Sequence, residues 1–167
     1  MERTAAYWKE KLNLTAHVEG GAFRETYRAP LTIAQPALGE AFKGDRNAST
    51  CIYFLLEHGE FSALHRIAAD ETWHFYDGGT LHIYEIKPDG TLVHHKLGLN
   101  LEAGEQPQAT VSAGSWFGSR VEEAGSFTLC GCTVAPGFDF EDFELGDRMR
   151  LSLRYPKYSG IVAALTR

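Results

Sequence analysis

Thr80-Leu-His-Ile-Tyr-Glu-Ile-Lys-Pro-Asp-Gly-Thr-Leu-Val-His-His-Lys-Leu97 is the stretch that decides the fold. Pro88 presets the backbone for the first turn position and Gly90 accepts positive φ, so Lys87 to Gly90 folds back tightly and sets Leu92 beside Leu81 and Ile83. The two arms are rich in β-branched and aromatic residues, which makes each a strand. Working outward, the same pattern recurs at 22–29, 50–56, 61–67, 71–76, 80–87, 91–97, 109–112, 115–121 and 126–134, with Gly, Pro, Asp and Asn between the segments. Nine short strands without intervening helices predict an all-β sandwich or barrel.

Helical signals are confined to the two ends. Thr4 caps a short amphipathic segment reaching Leu14, with Ala5, Trp8 and Leu12 at helical spacing. Asp147 caps Arg148 to Arg154 before Pro156 breaks the run, and a further turn or two follows over 158–166. Between the first two strands, the loop 30–47 carries Pro36, Gly39 and Gly44 and is expected to be the most mobile segment. The 167 residues are expected to form a single domain, 1–167.

Composition narrows the function. Sixteen Lys and Arg against 22 Asp and Glu give a formal charge of −6, and no basic run is present, so nucleic acid is not an expected partner. The longest apolar run, Cys51 to Leu56, is six residues, against the roughly 20 needed to cross a bilayer as a helix. The charged N-terminus, Met1 to Lys11, has no apolar signal core, so a cytoplasmic protein that does not span a membrane is expected. Three cysteines, two of them at Cys130 and Cys132, do not read as a disulfide framework and are expected to be reduced core residues.

A constellation of polar residues interrupts this β pattern. Gly59, His65, Ile67, Glu71 and Gly78 follow one another at intervals of six, two, four and seven residues. Alternation on a strand points His65 and Ile67 to one face, and Glu71 opens the next strand. A histidine and a glutamate held among Ile67, Trp73 and Phe75 would have acidities shifted by burial and by each other, which marks them as the candidate catalytic pair. Phe23, Glu25 and Tyr27 share a strand face that is expected to line the barrel, making Glu25 a second buried carboxylate. Arg24 and Arg28 would then face outward. His74 should face away from the interior, and His94 and His95 point to opposite faces of their strand.

The spacing from Gly59 to Gly78 resembles the first motif of the cupin superfamily, Gly-x5-His-x-His-x3/4-Glu-x6-Gly, with Ile67 in place of the second histidine. The second motif aligns best through Gly114 and puts Phe117 where a histidine ligand belongs. The metal set implied by the resemblance is thus reduced to His65 and Glu71, so no cofactor is expected beyond a weakly held divalent metal. His17 to Tyr27, Ser49 to Leu56, Asp70 to Tyr76 and Val134 to Phe143 are in turn similar to signature segments of a subfamily of small cupins.

The resemblance implies a double-stranded β-helix, a jelly-roll barrel, assembled as a homodimer around a small-molecule cavity. Within the superfamily the site looks most like that of metal-free sugar-nucleotide epimerases. That likeness implies an isomerase acting on a sugar-like or carbonyl-containing ligand, with His65 as general base, Glu71 orienting it, and Tyr53 or Tyr84 protonating the opposite face. Glu25, Tyr53, Trp73, Tyr84 and Phe117 are the expected ligand-binding residues. A metal-dependent oxygenase or isomerase and a non-catalytic ligand-binding protein are the alternatives.

Overall fold

A computed structural model describes residues 3–167; Met1 and Glu2, part of the charged N-terminal stretch, lie outside them. The chain opens with α1 (Ala5–Lys11) and short β1 (Thr15–Ala16), then β2 (Ala22–Arg28), β3 (Thr32–Ile33), α2 (Gln35–Leu38), β4 (Arg46–Asn47) and β5 (Thr50–Glu57). The central run is β6 (Phe61–Arg66), β7 (Asp70–Gly78), β8 (Leu81–Ile86), β9 (Leu92–Leu97), β10 (Gln108–Val111), β11 (Trp116–Val121) and β12 (Phe127–Ala135). β13 (Glu144–Leu145), α3 (Arg148–Arg154) and α4 (Ser159–Ala164) complete it.

All nine expected strands are present, and the helix caps fall at Thr4 and Asp147, whose side chains accept from the backbone N–H of Tyr7 and Arg150. The loop 30–47 is more structured than its composition suggests. It holds α2 and a small β3–β4 sheet, and Arg46 pairs with Asp142 through Nε–Oδ2 at 2.6 Å and Nη2–Oδ1 at 2.8 Å.

Two antiparallel sheets face each other. One runs β1-β2-β5-β12-β7-β10 and the other β13-β6-β11-β8-β9, the crossed order of a jelly roll. Their inner faces pack Phe54, Trp73, Leu81, Ile83, Phe117 and Cys130 into the main core. Trp73 sits edge-on to Phe54 and Phe117, with ring centroids 5.7 and 6.4 Å away. Each such pair adds about 0.5–1.5 kcal/mol beyond area burial. On the outside, α3 and α4 cover Leu64, Tyr84, Ile86 and Trp116 of the five-stranded sheet, while α1 covers Leu55 and Leu129 of the six-stranded one. Both ends of the chain therefore act as covers, which leaves the space between the sheets free to hold a site. Among the described residues no helix is long and apolar enough to cross a membrane.

Candidate functional site

A cavity of about 260 Å³ opens between the sheets. His65 enters it from β6, Glu71 from the start of β7, and Ile52, Cys132 and Val134 from β5 and β12. Phe138, Asp139 and Phe140, in the segment after β12, form its lip. The lip is tied to the barrel by Phe138 N–H donating to Thr50 Oγ1 (2.9 Å) and by the pairing of Arg46 with Asp142.

The cavity floor also holds a residue that alternation along β2 does not reach. Glu19 lies in the turn before that strand, buried, with Oε2 3.1 Å from His65 Nε2. Gly20 and Gly21 make this possible with φ of +115° and +78°. A Cβ at Gly20 would sit 2.1 Å from the Phe61 carbonyl oxygen, so only glycine lets the turn lie this close to β6. The Ala63 peptide then fixes both partners, because its N–H donates to the Glu19 carbonyl (2.9 Å) and its carbonyl accepts from His65 Nδ1 (2.7 Å). Arg167 Nη1 donates to the same Glu19 carbonyl at 3.0 Å.

These contacts set the protons. Because His65 Nδ1–H is committed to Ala63, its Nε2 presents a lone pair to Glu19. Burial lowers the His65 pKa to about 4, while burial and the neighbouring Glu71 raise that of Glu19 well above the usual range. The 3.1 Å contact needs one proton between Glu19 and His65, and burial disfavours charge on both, which fits a carboxyl donating to a neutral imidazole. Burial raises the Glu71 pKa to about 7, opposed by the Cys132 thiol, and among the described residues no cation pairs with it. His17, which accepts from Glu19 N–H through Nδ1 at 3.2 Å, is likewise lowered by burial to about 4.

Comparison with known proteins places this geometry. A family model described as cupin superfamily (DUF985) matches residues 6–146. The chain is a cupin. Its relatives include a solved protein from Shewanella oneidensis, 42% identical, covering 100% of this chain and 99% of that one with a TM-score of 0.88. A hypothetical protein from Leishmania major is 32% identical, covers 98% of both chains and also has a TM-score of 0.88. The uncharacterized protein YML079W of Saccharomyces cerevisiae is 33% identical over 137 residues, 77% of this chain and 68% of its own length.

The expected site residues of this cupin separate into two groups. His65 and Glu71 meet in the cavity. Glu25 reaches only the mouth, exposed and paired with Arg28 at 2.6 Å, so it is not the buried carboxylate expected of it; Glu19 is. Thr26 bulges out of the β2–β5 register, which turns Arg28 to the cavity side and leaves Tyr27 exposed.

Tyr53 lies on the outer face of β5 against Tyr76, because the inward positions of that strand are Thr50, Ile52 and Phe54. Tyr84 is also outward, under α4, with its hydroxyl donating to Glu122 (3.0 Å). Neither tyrosine can deliver a proton to the cavity. Trp73 and Phe117 face inward but lie in the packed core rather than in the cavity wall, and Phe117 supports His65 from 4.1 Å. His65 itself cannot serve as a free base, since Glu19 occupies its lone pair.

The two glycines were the available signal for Glu19. For His17 and Arg28 the sequence carries none, because one lies outside the strands and the other depends on a bulge. Cys132, expected as core filler, lines the cavity beside Glu71.

The metal common in this fold does not suit these residues. Ile67 and Phe117 offer no donor atom at two of the four positions. Among the described residues no three His, Cys, Asp or Glu side chains are placed to hold one ion.

Proposed function

We propose that this cupin binds a small carbonyl compound and moves a proton on and off the carbon beside its carbonyl, an isomerase- or epimerase-type step run by its own carboxyl groups. One observation carries this reading: Glu71 lines an apolar cavity without a cationic partner and titrates near neutrality, where a general base is most effective. As a carboxylate it takes the proton from the C–H bond, and the electron pair of that bond moves onto the carbonyl oxygen. The proton shared by Glu19 and His65 stabilises this oxygen, and its return accompanies collapse of the enol. Delivery of Glu71's proton to the same carbon completes the step. In a hydroxy ketone it can go instead to the former carbonyl carbon, whose oxygen then keeps its proton while the neighbouring hydroxyl returns one to the Glu19–His65 pair. The base is thus assigned to Glu71 and the supporting role to His65, the reverse of the roles expected from sequence. Homodimerisation belongs to the same proposal, since β10 ends the six-stranded sheet and leaves backbone groups for a second copy.

The test is deuterium incorporation, followed by proton NMR in D₂O, into a panel of small ketones and hydroxy ketones. Exchange at the carbon next to the carbonyl is expected, falling by about 100-fold or more in Glu71→Gln. Absence of exchange across the panel, or exchange that survives Glu71→Gln, overturns the proposal.

A further inference from the structure

Among the described residues that line the cavity, Arg28 is the one with a permanent positive charge, and it is there because of a backbone irregularity. Glu25 pairs with Ile52 and Arg28 with Thr50, both cavity-lining positions, although an unbroken strand would turn residues 25 and 28 to opposite faces. The bulge at Thr26 supplies the extra residue. Bulges of this kind re-aim side chains beside binding sites.

The guanidinium already holds a carboxylate. Glu25 Oε1 accepts from Nη2 at 2.6 Å and Oε2 from Nε at 3.3 Å, a forked arrangement that leaves Nη1 on Asn47 Oδ1 (2.9 Å) and on the Phe138 carbonyl (3.2 Å). Glu25 is 41% exposed, and exposed ion pairs of this type contribute little, so its carboxylate is readily exchanged for another. Asn47 and the Phe138 carbonyl meanwhile hold the fork in place. Phe23, Ile52 and Ile67 add apolar surface to the same cavity wall that carries Arg28 and Glu71.

We propose that Arg28 is the anion subsite of this cavity and that the ligand is a small oxo acid, its carboxylate replacing Glu25 on Arg28 and its carbonyl lying at Glu71. The assignment rests on the proton-transfer reading for the position of the carbonyl, and on the Arg28 fork alone for the carboxylate. A planar carboxylate matches the fork in the way Glu25 does. The cavity volume restricts the remainder of the ligand to a short apolar chain.

Calorimetric titration of 2-oxopropanoate, 4-oxopentanoate and 5-oxohexanoate, each beside its methyl ester, tests this directly. At least one acid is expected to bind about tenfold or more tightly than its ester. Arg28→Gln should erase that difference. Glu25→Gln should widen it, and this second variant decides the matter if loss of Arg28 loosens the lip. Esters that bind as well as acids at every chain length, or a difference that narrows in Glu25→Gln, overturn the proposal. Deuterium exchange into the esters without any preference for the acids overturns it too while the proton-transfer reading stands. An acid held through Arg28 without exchange supports it and defeats the other.

Discussion

Glu85 and Glu71 both project inward, from β8 and β7 in opposite sheets, and both are taken from water, with exposures of 0% and 8%. Their acidities nevertheless move in opposite directions. At Glu85 burial pushes the pKa up, but His95 Nε2 (2.8 Å), Ser112 N–H (2.9 Å) and Ser115 Oγ–H (2.8 Å) outweigh it and hold the group below its ordinary value. At Glu71 the same burial meets only a thiol, and the pKa rises to about 7. Burial alone therefore does not decide whether an interior carboxyl is a brace or a reactive group; the donors supplied by its neighbours do. Glu85 joins β8, β9 and the β10–β11 turn, whereas Glu71 is left with its proton negotiable.

The strongest challenge to this contrast is removal of the brace. Glu85→Ala strands the buried Ser115 hydroxyl, takes the acceptor from Ser112 N–H and unpairs His95, so a loss of about 3 kcal/mol or more in urea unfolding is expected. Glu85→Gln is the milder companion, because an amide oxygen still accepts from Ser112 and Ser115 and His95 can change tautomer. A loss below about 1 kcal/mol for the alanine variant would show that the three hydrogen bonds do not define Glu85 as structural.

How much of this contrast could be read from residues alone depends on the backbone between them. Alternation located the strands and placed Glu71 on an inward face, because β7 keeps a regular register there. His65 also faces inward, although β6 shifts its register against β11 between Ser62 and His65. Glu19 escapes alternation because the left-handed pair Gly20 and Gly21 folds a pre-strand residue over β6, where no periodicity applies and the glycines themselves are the one signal. The bulge at Thr26 reversed Arg28 against its expected face. Tyr53 and Tyr84 suit a cavity wall by residue type, yet they were turned outward by the same alternation that turned Phe54 and Ile83 inward. Fold was legible because it sums many weak, regular signals. The site was only half legible because it uses the irregular positions.

A second prediction turns on pH. Glu71 has a folded pKa of about 7 against 4.5 when unfolded, so the folded state holds the extra proton between these values and its contribution declines as pH rises through that window. Replacement by Gln removes the decline. The stability of Glu71→Gln relative to the unsubstituted chain should therefore rise from pH 4.5 to pH 7, by up to about 3 kcal/mol, and level off above. His65 moves oppositely: with a folded pKa of about 4 against 6.5, its contribution is present at neutral pH and is lost on acidification through that interval in both proteins, so it cancels in the difference. Urea melts at four pH values between 4.5 and 8 measure the effect. A flat difference would mean that Glu71 is satisfied in a way its surroundings do not provide, and the contrast with Glu85 would collapse.

Glu122 supplies the smallest and most discriminating effect, because it has partners without burial. Its Oε1 accepts from Tyr84 Oη–H (3.0 Å) and from Arg120 Nε (3.2 Å) and Nη2 (3.0 Å), matching the three donors on Glu85, but its side chain is 44% exposed on the outer face. Water takes the place of the carboxylate as acceptor for each donor, so no group is left stranded. Glu122→Ala is accordingly expected to cost no more than about 1 kcal/mol. The measurement is the same urea unfolding used for Glu85→Ala. A cost for Glu122→Ala equal to that for Glu85→Ala would mean that partner number by itself stabilises these carboxylates. A small cost beside a large one assigns the difference to burial acting through unmet donors, the condition that holds Glu85 in place as a brace.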